Sequence, residues 1–123
     1  MAKKKVLYVQ TSGTDTPERL YSPLILAQTA LAMDIEPTVY FLGLGLKVLI
    51  KGEADKIKLG NFPSLAEVIK DSKNKGVRIM ACEQSMQLFG GEIGSGNLIE
   101  EAEIVGAATL NDLALDADAI LSF

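Results

Sequence analysis

The chain has 123 residues, of which 48% are hydrophobic and 23% charged, so it is predicted to form one globular domain over residues 1–123. Its net charge of −4 argues against a nucleic-acid partner, because proteins that bind the phosphate backbone carry a basic surface. The apolar runs are too short for a membrane span and the first residues lack a secretory signal pattern, so no membrane partner and a cytoplasmic location are expected.

The first 42 residues predict two strands joined by helical structure. Lys5–Gln10 (KVLYVQ) is a β-rich apolar run that ends in a turn cluster. Two helix starts follow, Thr16 with Pro17 and Ser22 with Pro23, so the segment up to residue 33 is predicted to be two pieces or one kinked helix. Residues 38–42 (TVYFL) lack polar alternation, which is typical of a strand covered on both faces.

The middle of the chain predicts a capped helix and a third strand. Ser64 and Glu67 have the spacing of a capping box, which places a helix over residues 65–74. Gly76 follows as a helix stop. The apolar run Val77–Ala81 (VRIMA) is then predicted to be the third strand, and Cys82 comes directly after it.

The remaining residues continue the alternation of helices and strands. We predict a short helix over Glu83–Phe89, a strand around residues 104–105, a helix over Leu110–Leu115 and a last strand over Ala119–Phe123. This spacing fits crossover connections. The predicted fold is therefore α/β and flavodoxin-like, with three layers: a mainly parallel open sheet of about five strands and helices on both faces.

The residue inventory limits the chemistry. A single cysteine excludes an internal disulfide and a CxxC pair, and the sequence contains no histidine. Zinc sites with histidine ligands, Ser-His-Asp triads and Cys-His dyads are therefore excluded, and no metal site and no cofactor are predicted. A two-cysteine peroxidase lacks its resolving partner and acyl transfer lacks a base. Passing on sulfur as a persulfide requires only an accessible thiolate.

Cys82 is the predicted catalytic residue, because ligands and reactive groups gather at the carboxyl ends of parallel strands. A helix start favours the thiolate, whereas the neighbouring Glu83 disfavours it, so the sequence leaves the direction of the pKa shift open. The alternative is a small buried hydrophobic residue. The predicted pocket residues are Ser12, Gly13, Thr14, Gly43, Glu83, Gln84 and Ser85, although Ser12–Thr14 could simply form the turn. Tyr21 and Tyr40 are predicted to serve the core or an interface.

Four segments together resemble the DsrE/DsrF-like family, which includes the TusD-type sulfur-relay subunits. They are Met80–Gly90 (MACEQSMQLFG), the turn at residues 11–13, the glycine break at residues 43–45 and the closing stretch at residues 97–123. The resemblance implies that Cys82 receives sulfur as a persulfide and passes it to a partner, so the expected partners are sulfur donor and acceptor proteins. It also implies a homo-oligomer, a trimer or hexamer, and some relatives are labelled predicted peroxiredoxins.

Three hypotheses follow from the residues and the resemblance. The first is a sulfur carrier or sulfurtransferase subunit acting through Cys82. The second is a non-catalytic oligomeric module of the same fold that binds a small anion or a protein, and the third is a thiol peroxidase. The apolar residues Leu44–Ile50 and the side chains of Met86, Leu88 and Phe89 are the candidate contacts between subunits.

Overall fold

A computed structural model describes residues 3–123. In this part of the chain the strands are β1 (Lys5–Gln10), β2 (Glu36–Phe41), β3 (Arg78–Cys82), β4 (Glu103–Val105) and β5 (Ala119–Ser122). The α-helices are α1 (Tyr21–Ala32), α2 (Leu65–Lys75), α3 (Glu83–Met86) and α4 (Ala107–Asp116). Short 3₁₀ segments cover Pro17–Arg19, Gly43–Leu49, Ala54–Lys56, Gln87–Phe89 and Ser95–Asn97.

The five strands form one sheet in the order β4-β3-β2-β1-β5, and every neighbouring pair is parallel. The predicted α/β class and parallel sheet are therefore confirmed. The order differs from the 2-1-3-4-5 order of flavodoxin itself. Because all the strands point the same way, their carboxyl ends and the loops that follow them lie along a single edge of the sheet.

The two faces of the sheet are covered differently. The face that we call the two-helix face packs against α1, α2 and the 3₁₀ segment at Gly43–Leu49, and its side chains include Val39, Phe41 and Ile79. The opposite face, the α4 face, carries Leu7, Tyr40, Met80 and Cys82 beneath a single helix, α4. Helices on both faces complete the predicted three layers.

The connections leave a crevice between β3 and β4. The segment after β3 packs on the two-helix face, where Met86 and Phe89 contact the core, whereas α4 follows β4 onto the other face. Strands β1 to β4 follow one another in a single direction across the sheet, so right-handed crossovers place all their connections on the two-helix face. The connection from β4 to β5 runs back in the opposite direction, so a right-handed crossover places α4 on the other face. Neighbouring strands whose loops diverge in this way form the usual ligand site of an open parallel sheet.

Local signals predicted α2 well and the region before α1 only in part. Ser64 accepts a hydrogen bond from the Glu67 backbone N–H at 3.3 Å, and Gly76 ends the helix as predicted. The segment up to residue 33 consists of two pieces, the 3₁₀ turn Pro17–Arg19 and α1, which is one of the two predicted alternatives. Ser22 is not the cap, however, because α1 begins at Tyr21 and Pro23 lies in its first turn, where a missing N–H costs no hydrogen bond.

Three further expectations need correction. The apolar segment Leu44–Ile50, expected to contribute to an interface, mainly builds this chain's own core, since Leu46, Val48 and Leu49 are buried and only Leu44 is prominently exposed. The predicted helix over Glu83–Phe89 is instead one α-helical turn followed by a 3₁₀ turn. The helix predicted over Leu110–Leu115 is longer and begins at Ala107.

Candidate functional site

Cys82 is both the last residue of β3 and the residue that precedes the first turn of α3. Alternation along β3 turns its side chain toward the α4 face, into the same apolar cluster as Leu7, Tyr40 and Met80. The residue is only 5% exposed. Its strand partner in β4 is Val105, so the sulfur lies beside the crevice between β3 and β4.

Ser85 is the side chain that most strongly favours the thiolate of Cys82. Its hydroxyl oxygen accepts a 2.7 Å hydrogen bond from the Gly43 backbone N–H, which leaves the hydroxyl hydrogen free to point at the sulfur. Gly43 has φ of 59°, a left-handed conformation that glycine adopts without strain. The loop after β2 thus orients a donor toward the end of β3.

Tyr40 is the second side-chain donor near the sulfur. It is fully buried near the carboxyl end of β2, and its hydroxyl donates to the Gly106 carbonyl at 3.2 Å. The same hydroxyl belongs to the buried cluster that contains Cys82. Burial raises the pKa of Tyr40, and the neighbouring Cys82 thiolate raises it further. Sequence reasoning assigned Tyr40 to the core or an interface. The available signal was a tyrosine hydroxyl inside a buried strand, which needs a polar partner.

The pKa of the Cys82 thiol is lowered overall. Burial is the largest single influence and raises the pKa, but hydrogen bonds from Ser85, from Tyr40 and from the backbone N–H groups of Ser85 and Gln84 together outweigh it. The Cys82 side chain accepts no capping hydrogen bond at the start of α3. The direction of the pKa shift, which the sequence left open, is downward.

Gln84 connects the start of α3 to the start of α4. Its carboxamide oxygen accepts a 2.9 Å hydrogen bond from the Ala107 backbone N–H across the crevice. Glu83 lies exposed at the first position of α3. The net lowering of the Cys82 pKa shows that this neighbouring carboxylate does not prevail over the hydrogen bonds.

The turn Ser12–Thr14 lies further from the sulfur than expected. Strand β2 lies between β1 and β3, which separates the ends of those strands by about 10 Å. The turn packs against the loop after β2 instead, since a Cβ on Gly13 would lie 2.7 Å from the Leu44 carbonyl oxygen. The backbone N–H of Ser12 donates to the Phe123 carbonyl. Of the predicted pocket residues, the structure therefore brings Gly43, Gln84 and Ser85 to Cys82.

Other parts of the surface do not add chemistry to this site. A groove of about 460 Å³ runs between α2 and residues 98–101, on the two-helix side, so the sheet separates it from the sulfur. Across residues 3–123, histidine, cysteine, aspartate and glutamate side chains form no cluster suited to a metal ion. Over the same residues, no helix combines the length and apolarity needed to cross a lipid bilayer.

Fold and site together define an α/β protein that carries one stabilised thiol at the edge of a parallel sheet. The chain belongs to the DsrE/DsrF-like family, whose model matches residues 4–123. It is 36% identical over 105 residues to the uncharacterized protein MJ0760 of Methanocaldococcus jannaschii, covering 85% of this chain. The chain spans only 38% of the length of that relative.

A solved structure shows the same fold. The ychN protein from E. coli superposes with a TM-score of 0.75 over 99% of this chain and 100% of that one. The sequence identity between the two is 18%, so the likeness concerns the fold alone.

Proposed function

We propose that the protein is a sulfur carrier or sulfurtransferase subunit in which Cys82 alternates between thiolate and persulfide. The observation that carries this proposal is the position of Cys82 at the start of α3 and in one buried cluster with Tyr40. The neighbouring hydroxyls and backbone N–H groups there lower the pKa of the thiol despite its burial. A sulfur that served only to fill the core would need no such donors. Membership of the DsrE/DsrF-like family supports a sulfur-relay role.

The reaction requires no redox partner. In loading, the Cys82 thiolate attacks the outer sulfur of a donor persulfide: Cys82–S⁻ + R–S–SH → Cys82–S–SH + R–S⁻. One S–S bond forms, one breaks, and the donor leaves as a thiolate. In unloading, an acceptor thiolate attacks the outer sulfur of Cys82–S–SH, and Cys82 becomes the leaving thiolate. Donor and acceptor proteins are therefore the proposed partners.

The residues around Cys82 have distinct roles in this proposal. Ser85, oriented by the Gly43 N–H, donates to the anionic sulfur, and the first turn of α3 presents its N–H groups from the same side. Gln84 holds the starts of α3 and α4 together across the crevice. We assign the Ser12–Thr14 turn to supporting the Gly43 loop, which it contacts through Gly13 and Leu44.

Intact-mass measurement after exposure to a small-molecule persulfide tests the proposal. The wild-type chain should gain one sulfur atom, and Cys82→Ser should gain none. Ser85→Ala should load more slowly at neutral pH, because the thiolate fraction falls when the pKa of Cys82 rises. Absence of a gain on the wild type, or an equal gain on Cys82→Ser, would contradict persulfide chemistry at this residue.

One observation favours the alternative, a non-catalytic oligomeric module that binds a small anion or a protein. Cys82 is only 5% exposed, so reagents reach its sulfur only when the crevice opens. Iodoacetamide alkylation separates the two functions. A relay thiol should react in the folded state, with a rate that rises with pH through its pKa, whereas a structural thiol should stay inert from neutral to alkaline pH.

We further propose that the chain works as a homo-oligomer, a trimer or hexamer, in the cytoplasm. Leu88 is 70% exposed and Leu115 is 87% exposed, and Ile120 and Leu121 on the edge strand β5 are about half exposed. Contact between subunits would cover such side chains. The cytoplasm suits a function that depends on a reduced thiol. Sedimentation analysis decides the assembly state, and a monomer at micromolar concentration would contradict it.

A further inference from the structure

The hydroxyl of Tyr40 has one hydrogen and two acceptors. The Gly106 carbonyl oxygen lies 3.2 Å away, and the Cys82 sulfur lies in the same buried cluster on the α4 face. A phenol donates one hydrogen bond at a time, although its oxygen also accepts. The hydrogen therefore goes to Gly106 when the sulfur is a neutral thiol, and the stronger acceptor, an anionic sulfur, draws it away.

We infer that Tyr40 is a catalytic residue that assists the departure of sulfur from Cys82, by turning its hydroxyl from the Gly106 carbonyl to the thiolate that forms as the S–S bond breaks. This inference rests on the proposed relay function and assigns a step to a residue within it. The Tyr40 side chain packs in the same buried cluster as the reacting sulfur, whereas the Gly106 carbonyl holds its hydroxyl in the resting orientation.

The two half-reactions use the sulfur of Cys82 differently, so Tyr40 should affect them unequally. In unloading, for instance by cyanide, Cys82–S–S⁻ + CN⁻ → Cys82–S⁻ + SCN⁻, and Cys82 is the leaving group. A hydrogen bond that stabilises the departing thiolate speeds this step. In loading, the Cys82 thiolate is the nucleophile, and the same hydrogen bond weakens its attack once the thiol is fully ionised.

Charged side chains do not compete with Tyr40 for the sulfur. On the elements packed around Cys82, Glu83 on α3 and Asp112 on α4 lie at the surface, and Lys47 on the Gly43–Leu49 segment lies over the Phe89 ring. Glu103 begins β4 and pairs with Arg78, which begins β3. Lys5, Glu36 and Asp116 lie toward the amino-terminal ends of the strands, at the opposite edge. The local chemistry is therefore set by neutral donors.

The test compares Tyr40→Phe with Tyr21→Phe. Tyr21 is a matched control, because it is also buried and donates to a backbone carbonyl, that of Pro63 at 2.8 Å, but it packs on the two-helix face. Three quantities are measured on each: the pKa of Cys82 from the pH dependence of alkylation, the loading rate with a small-molecule persulfide, and the unloading rate with cyanide. Both rates are taken above the thiol pKa.

For Tyr40→Phe we expect a higher thiol pKa, unloading slowed by at least about threefold, and loading unchanged or faster. Tyr21→Phe should match the wild type in all three. Equal slowing of loading and unloading would indicate altered access to the sulfur and would overturn the inference, as would an unchanged unloading rate. If wild-type Cys82 takes up no sulfur, the relay function and this step both fail. The thiol titration still decides whether Tyr40 donates to the sulfur.

Discussion

The two faces of the sheet show how this small protein separates stability from chemistry. The two-helix face is closed by α1, α2 and the Gly43–Leu49 segment over a large apolar core. The α4 face has a cluster of only four buried hydrophobic residues beneath a single helix, and none of the residues of α4 is itself buried. Tyr40 and Cys82, which carry the polar groups of the site, both lie on this thinner face.

The difference teaches that the Cys82 thiol lies beneath the thinner of the two helical layers. Global stability comes from the face that the sulfur does not use, so the crevice between β3 and β4 can change without unfolding the core. The loop at Gly43 links the two faces, because it begins a core segment and also orients Ser85 toward the sulfur.

The largest expected effect is on the free energy of unfolding, when a leucine is truncated on the helix that covers each face of the sheet. Leu24→Ala on α1 should lower the free energy of unfolding by about 2–5 kcal/mol, because it leaves a cavity in the closed core. Leu113→Ala on α4 should cost about 1 kcal/mol or less, because Leu113 is only partly buried. Urea unfolding measures both. Equal losses would break the comparison and show that another subunit covers α4.

The next largest effect is expected from a substitution at Gly43, in the loop after β2, which should change both stability and the pKa of Cys82. Gly43→Ala should destabilise the fold by about 1 kcal/mol, because φ is positive there while the space for a Cβ is open. It should also raise the pKa of Cys82 by displacing the Gly43 N–H from Ser85. Gly52→Ala is the control, since Gly52 has φ of 88° and equally open space but is remote from Ser85. An unchanged thiol pKa in Gly43→Ala would refute the linkage.

A smaller effect is a pH dependence of stability that comes from Cys82 alone. The folded pKa of the thiol lies below its unfolded value of 9.0, so between these two values the unfolded chain binds more protons and stability rises with pH. Below the folded pKa the contribution vanishes, and above about 9 it is complete. The difference in unfolding free energy between wild type and Cys82→Ser should therefore grow from neutral pH to about pH 9. A flat difference would show that the thiolate is not stabilised.

The smallest effect on stability is expected at an exposed site. Leu88→Ser should change the free energy of unfolding by less than about 0.5 kcal/mol, because Leu88 is 70% exposed in the single chain. It should weaken assembly, which sedimentation detects as a shift toward smaller species. Glu92→Gln, a nearby exposed change that leaves apolar area unaltered, serves as the control. Identical sedimentation of the variant and the wild type would remove Leu88 from the subunit contact.

Short-range signals account for what the sequence determined by itself. The Ser64 and Glu67 pair, the glycine at 76 and the unbroken apolar run of β2 each depend on neighbours within a few residues, so they predicted α2 and a doubly covered strand correctly. The position of Cys82 between a strand and a helix followed from the same local pattern. That Cys82 is the only thiol of the chain followed from composition.

Only the tertiary structure decided which groups surround the sulfur. Tyr40 is 42 residues before Cys82, and it reaches the thiol because β2 pairs with β3 in a register that puts Tyr40 opposite Met80 and turns all three side chains to one face. The same strand order placed β2 between the Ser12–Thr14 turn and Cys82. Register and strand order are set by the packing of the whole sheet. The spacing of residues along the sequence therefore does not reveal which side chains meet across neighbouring strands.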